Sequence, residues 1–201
     1  MMGCPAPGTA VKLKAPTFLA FVNTADDADK SRTLDGVPDV GMMVAWARTI
    51  GLAKATEPQA ALLGRTALEH LQRLREAGWG LLKNLIAKQA ADGDHESVVR
   101  EAVSTAKYRG KLELSDGRYA WRANESGYVL LDRIAFAADA LLTAEDLASL
   151  KECERCTALF LDNGRGPGRR YCRPETCGNR AKVARFRENK RSSGTASRSP
   201  A

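Results

Sequence analysis

The sequence predicts a mainly α protein: a helical N-terminal domain carrying one small β-hairpin, followed by a small C-terminal module held together by cysteines. Three observations lead there. Apolar residues recur at helical spacing through most of residues 39–150. Four of the five cysteines fall beyond residue 150. Charge divides at the same place. Residues 1–150 carry 18 Lys+Arg against 19 Asp+Glu, a net −1, whereas residues 151–201 carry 13 against 5, a net +8. A length of 201 residues with 44% hydrophobic and 6% aromatic content suits one substantial helical domain plus an appendix.

Residues 1–16, rich in proline, read as a flexible leader. "TFLAFV" is a short apolar element that periodicity leaves open between helix and strand. Asp39 is placed as an N-cap for a helix with Val40, Met43, Val44, Ala47 and Ile50 on one face, and Gly51 stops it. A second helix is expected from about Glu57-Pro58, presenting Leu68, Leu71 and Leu74. Gly78 and Gly80 are expected to interrupt or bend it. "DGDHE" around His95 reads as a solvated loop before a further helix with Val98, Val99, Ala102, Val103 and Ala106 inward. Leu112/Leu114 and Tyr119/Trp121 alternate on either side of Ser115-Asp116-Gly117, the pattern of a β-hairpin. A long helix is expected over about Ser126–Leu142, with Thr143 opening a short one after it. Residues 17–150 form the helical domain, 151–191 the cysteine module, and 192–201 a disordered tail.

The cysteines are spaced Cys153-x2-Cys156-x15-Cys172-x4-Cys177. Two short-range pairs separated by a loop supply four soft ligands to a tetrahedral ion with little backbone strain, so a structural Cys4 zinc site is the expected reading. An iron–sulfur cluster or a redox dithiol are the alternatives. No secretory signal and no stretch long enough to span a bilayer is readable, so a cytoplasmic protein with reduced thiols is expected. "TALFLD" reads as a strand, "NGRGPG" as a turn, "RRYC" as a return strand, and Cys177 as the start of a helix. That order of knuckle, hairpin and helix is treble-clef-like. Cys4 falls outside the site.

"CERCTALFLD…RRYCRPETCGNRAK" resembles the CGNR zinc finger, whose name is the tetrapeptide Cys177-Gly178-Asn179-Arg180. "FVNT" at Phe21–Thr24, "AWARTIGL" at Ala45–Leu52 and "LREA" at Leu74–Ala77 are similar to hallmarks of the ABATE domain, which precedes that finger in the family. The resemblance implies zinc on Cys153, Cys156, Cys172 and Cys177. It also implies a bacterial transcription regulator, with the finger as DNA binder and the ABATE domain as an effector-binding unit. Tyr171 stands where the family often has Trp, a change that keeps a flat amphipathic ring.

On a helical wheel drawn from Arg180, Val183 and Phe186 share one face, expected to pack on the finger. Arg180, Arg187 and Arg191 form one basic rail, and Lys182 and Arg185 form another. Two rails suit gripping phosphates better than reading base edges. With Arg169, Arg170, Asn179 and Lys190 they make up the expected nucleic-acid surface. Asn179 and Arg180 are the candidates for base contact by type, with Asn179 equally suited to bracing the zinc loop. In the helical domain, Asn23, Thr24 and Trp46 are candidate effector contacts, although turn formation and core packing account for them as well. No catalytic motif is present, so the protein is expected not to be an enzyme. The expected partners are DNA at the nucleoid, with RNA as a further polyanion, a small-molecule effector, and a second copy in a homodimer, but no membrane. The competing reading is an adaptor whose basic helix binds an acidic protein or the ribosome.

Overall fold

The computed structural model describes residues 15–25, 30–90, 92–115, 117–124, 127–164 and 168–195. Most of the leader with Cys4, Asp116 and Ser126, residues 165–167 of the expected turn, and residues 196–201 lie outside them. The first element among the described residues is α1 (Ala15–Val22), which starts two residues earlier than the end drawn for the leader allows. Phe18, Leu19, Phe21 and Val22 are all buried. With apolar residues on nearly every side, this helix shows no period for a sequence reading to detect. α2 (Val40–Thr49) starts at Asp39, whose carboxylate accepts the Met42 amide at 2.8 Å. It buries Met43, Val44 and Ala47 and ends before Gly51, which sits at φ +73°. A single turn, α3 (Gln59–Leu62), precedes α4 (Arg65–Ala87).

α4 runs unbroken through Gly78 and Gly80, so neither glycine interrupts it. Both glycines serve close packing instead. A Cβ on Gly78 would lie 2.5 Å from the Phe18 ring of α1, and one on Gly80 would lie 2.4 Å from the ring of His95. That His95 belongs to α5 (Gly93–Arg109), capped by the Asp92 carboxylate accepting from the Asp94 amide. "DGDHE" is therefore the first helical turn rather than a solvated loop. The acidic residues that made it look like loop instead offset the helix's positive end.

Strands β1 (Lys111–Ser115) and β2 (Arg118–Arg122) form the expected hairpin, with Leu112 opposite Trp121 and Leu114 opposite Tyr119. Only its inner end is packed, where Trp121 stacks on Phe136 with ring centroids 6.1 Å apart. α6 (Val129–Leu142) is almost wholly buried and packs against α1, α4 and α5, forming the centre of the core. Thr143 terminates α6 by donating its hydroxyl to the Asp139 carbonyl, and one 3₁₀ turn follows at Glu145–Ser149. No described helix is long and apolar enough to cross a membrane.

The two kinds of glycine predict opposite outcomes. Gly78→Ala gains helix propensity but drives a methyl into Phe18, for a net loss of about 1–3 kcal/mol. Gly93→Ala meets nothing within 4 Å and should stabilise by up to about 1 kcal/mol. Urea denaturation of the two variants checks this.

Candidate metal centre and nucleic-acid surface

Strands β3 (Leu150–Glu152) and β4 (Leu159–Leu161) pair antiparallel, with Leu150 opposite Leu161 and Glu152 opposite Leu159. The Cys153–Cys156 knuckle is the loop of this hairpin, closed by the Cys153 amide donating to the Ala158 carbonyl at 2.9 Å. This corrects the expected order. The knuckle does not precede a hairpin with "RRYC" as return strand, because β4 pairs backward with β3. Residues 168–172 instead return as irregular chain. They are fastened where the Glu154 amide donates to the Arg170 carbonyl at 3.0 Å and where Asp162 accepts the Arg169 amide at 2.9 Å. Cys177 lies in a wide turn, Pro174–Gly178, in which the Gly178 amide reaches the Arg173 carbonyl. α7 (Asn179–Thr195) follows immediately and carries the helix four residues past the boundary drawn for a disordered tail.

All four cysteine sulfurs lie within 4.8 Å of one another. The Cys156–Cys172, Cys172–Cys177 and Cys177–Cys156 separations are each 3.7 Å. Zn–S bonds of about 2.3 Å place the corners of a tetrahedron about 3.8 Å apart, so the Cys156, Cys172 and Cys177 sulfurs already stand at zinc spacing, with Cys153 within 4.8 Å of them. A disulfide would need about 2.05 Å. A four-iron cluster binds each thiolate through a different iron and would hold the sulfurs farther apart than one ion does. Zinc is therefore the metal that this donor set fits, and four thiolates close its coordination sphere.

Burial opposes ionisation of Cys153. Hydrogen bonds from the backbone amides of Cys172, Arg155 and Cys156 overcome it and bring the thiol down to about 7. Burial pushes Cys172 the other way, up to about 12. Without metal, Cys153 ionises readily near neutral pH while Cys172 holds its proton. Zinc binding must displace the thiol protons, so acid weakens it. Between pH 8 and pH 6 the apparent zinc Kd should rise at least roughly tenfold per pH unit, measured by competition with a chromophoric chelator. An affinity that does not change with pH would contradict this ligand set.

The expected basic residues divide into two groups. Arg170 donates from Nε and Nη2 to the two Glu154 carboxylate oxygens, each contact 2.5 Å, and Arg169 lies over the Phe160 ring at 4.3 Å while donating to the Leu161 carbonyl. Both thus brace the finger as well as carrying charge. Arg180, Lys182, Arg185 and Arg187 form no ion pair among the described residues, and all four are exposed on α7. Lys190 and Arg191 continue that helix and are also exposed. Asn179 donates its side-chain amide to the Glu175 carbonyl at 3.0 Å, so it braces the zinc loop. Val183 and Phe186 do not pack on the finger. They are 48% and 69% exposed, and the α7 face turned to the finger is that of Ala181, Lys182 and Arg185. A helical wheel defines which residues share a face but carries no information about where the finger lies.

Arg169, Arg170, Lys182 and Arg185 meet around a cleft of about 250 Å³ floored by Tyr171, Pro174, Gly178 and Ala181. In sequence these cations are separate, two just before Cys172 and two on α7. The turn at Pro174–Gly178 brings them together.

Asn23, Thr24 and Trp46 have other partners than an effector. The Asn23 side chain donates to the Leu159 carbonyl and accepts the Leu159 amide, both at 2.8 Å, so it fastens the end of α1 to strand β4 of the finger. Thr24 donates to the Phe21 carbonyl, and Trp46 packs on Phe21 with ring centroids 6.0 Å apart. The Trp79 indole donates to the Thr157 carbonyl inside the knuckle at 2.9 Å. Glu152 adds ion pairs to Lys30 and Lys83. These cross-links join residues as far as 136 positions apart, and no local pattern announces them.

A helical domain fastened to a Cys4 zinc module defines a zinc-finger protein in which the finger and the body share one packed seam. Residues 15–145 match the ABATE family model, described as "Putative stress-induced transcription regulator", and residues 149–190 match the CGNR zinc finger. The chain belongs to the ABATE family, with its zinc module in the order the resemblance implied. No curated protein matches the chain.

Proposed function

We propose that this protein is a non-enzymatic, zinc-dependent transcription regulator of the bacterial cytoplasm that holds DNA by its finger while its helical domain senses an effector or dimerises. The cleft between residues 169–171 and α7 carries this reading, because four cations converge there beside an aromatic ring. Arg180 and Arg187 extend the positive surface along the exposed helix. Phosphates are held by such point charges and guanidinium forks. Tyr171 offers a flat face at the cleft floor, suited to a sugar or a base edge. The family description supports the regulatory role.

With Asn179 engaged in the zinc loop, few side chains remain to read bases. The module is expected to grip the backbone with modest sequence preference, and a second copy would supply the rest of an operator's length. If about five phosphates are neutralised, log K should fall against log salt with a slope near −4 to −5. Replacing Arg180, Lys182, Arg185 and Arg187 together by Ala should flatten that slope by roughly 3 to 4 while zinc content and helicity stay unchanged. Fluorescence anisotropy with random-sequence duplex DNA at several salt concentrations measures both. Unchanged binding by the fourfold variant would remove α7 from the interface. Absence of DNA binding at low salt would favour the adaptor reading, to which the exposed Val183 and Phe186 lend an apolar contact.

A further inference from the structure

A second cavity lies on the helical domain, between α4, α5 and the start of α6, and measures about 210 Å³. One wall is apolar, formed by Leu74, Val98, Ala102 and Leu131. The other is built from aromatic and basic groups. The His70 and Tyr128 rings stack at 6.5 Å with an interplanar angle of 23°, and the Tyr128 hydroxyl lies 3.3 Å from the Thr66 hydroxyl. Arg109 lies over the Tyr128 ring at 4.9 Å.

Arg109 is held before any ligand arrives. Its Nε donates to Asp132 Oδ2 at 3.2 Å and its Nη2 donates to Asp132 Oδ1, and the Asp132 side chain is 0% exposed. Asn124 donates to the Arg109 carbonyl and fixes the end of α5. A carboxylate taken fully out of water needs a strong partner, and the same pairing fixes the direction of the guanidinium. Nη1 has no partner among the described residues. Arg73 also lines the cavity, and it forms no ion pair among the described residues. Thr105 adds a hydroxyl, and Glu101 places one negative charge at the solvent-exposed rim.

We infer that this cavity binds a small monocarboxylate with an apolar body of about one ring, its carboxylate held by Arg109 and Arg73. The inference rests on the effector-sensing part of the function proposed above and gives that effector a site and a chemical class. The ligand's body lies against Leu74, Val98, Ala102 and Leu131, beside the His70–Tyr128 stack. Size supports the class. The volume exceeds the roughly 150 Å³ that accepts a benzene ring and falls below the roughly 300 Å³ at which drug-sized pockets begin. Charge narrows it further. Two guanidinium groups select an anion, while Glu101 at the rim disfavours a second carboxylate at that end. A neutral ring lacks the charge-assisted hydrogen bonds that repay desolvating the two arginines. None of Asn23, Thr24 and Trp46 lines this cavity.

The test uses the full-length, zinc-loaded protein at pH 7 and isothermal titration with benzoate, phenylacetate and hexanoate, with benzyl alcohol and phthalate as the neutral and dianionic controls. At least one monocarboxylate should saturate below about 10 mM, with both controls at least roughly tenfold weaker. Arg73→Gln, at an exposed position, should weaken that ligand roughly tenfold through loss of a charge-assisted contact. Thr105→Phe, which fills the cavity, should abolish binding. Should Thr105→Phe fail to fold, the Arg73→Gln ratio and the two controls decide. The inference is overturned if none of the three monocarboxylates saturates below about 10 mM, if phthalate or benzyl alcohol binds as well as they do, or if Arg73→Gln or folded Thr105→Phe binds like the parent. DNA binding of the same preparation is recorded alongside. Loss of carboxylate binding with DNA binding intact refutes this site alone, whereas loss of DNA binding refutes the function proposed above.

Discussion

Convergence of four thiols on one point is the constraint on which the finger depends. β3 and β4 are three residues each, too short to persist by themselves, and α7 is exposed at nearly every position from Asn179 to Arg191. β3 and β4 place Leu150 and Leu159 in the core of the helical body, but the described chain beyond Leu161 has no such apolar anchor to order it. The thiols supply the missing free energy only when metal replaces their protons. For structural zinc in small fingers that amounts to about 10–16 kcal/mol, more than such a module gains from its small cluster of Ala158, Phe160 and Tyr171.

The same ion orders the proposed interface. Cys177 sits two residues before α7, so the metal sets where that helix begins, and its direction brings Lys182 and Arg185 toward Arg169 and Arg170. The body fixes the finger in turn. Asn23 pairs with both backbone groups of Leu159 much as a neighbouring strand would, and Trp79 reaches into the knuckle itself. Since α1 and α4 also pack on α6, the cavity walled by α4, α5 and α6 and the seam to the finger are faces of one packed body. A change at the cavity has a continuous route to the finger through α4, which contributes both Arg73 and Trp79.

Much of this was legible in the chain. Asp39 and Gly51 bound α2, the alternation around residues 112–121 marks the first hairpin, and the cysteine spacing marks the metal site, because each is a local rule read over a few residues. What stayed hidden depends on distant partners. Gly78 and Gly80 look like helix breakers until Phe18 and His95 are seen packed against them. Asn23 looks like a turn residue until Leu159 is placed beside it, and Arg170 looks like a free cation until Glu154 meets it. The pairing of β4 with β3 rather than with residues 169–172 was also out of reach, since three-residue strands carry no register signal.

Hydrogen–deuterium exchange of the full chain with and without zinc tests the central claim most directly, namely that one metal ion orders the finger, the start of α7 and the seam to α1 and α4. Removing zinc should erase protection across residues 150–187 and lower it at the C-terminal end of α1, while α6 keeps its slow exchange. Unchanged protection in β4 and the first turns of α7 after complete zinc removal would contradict the account.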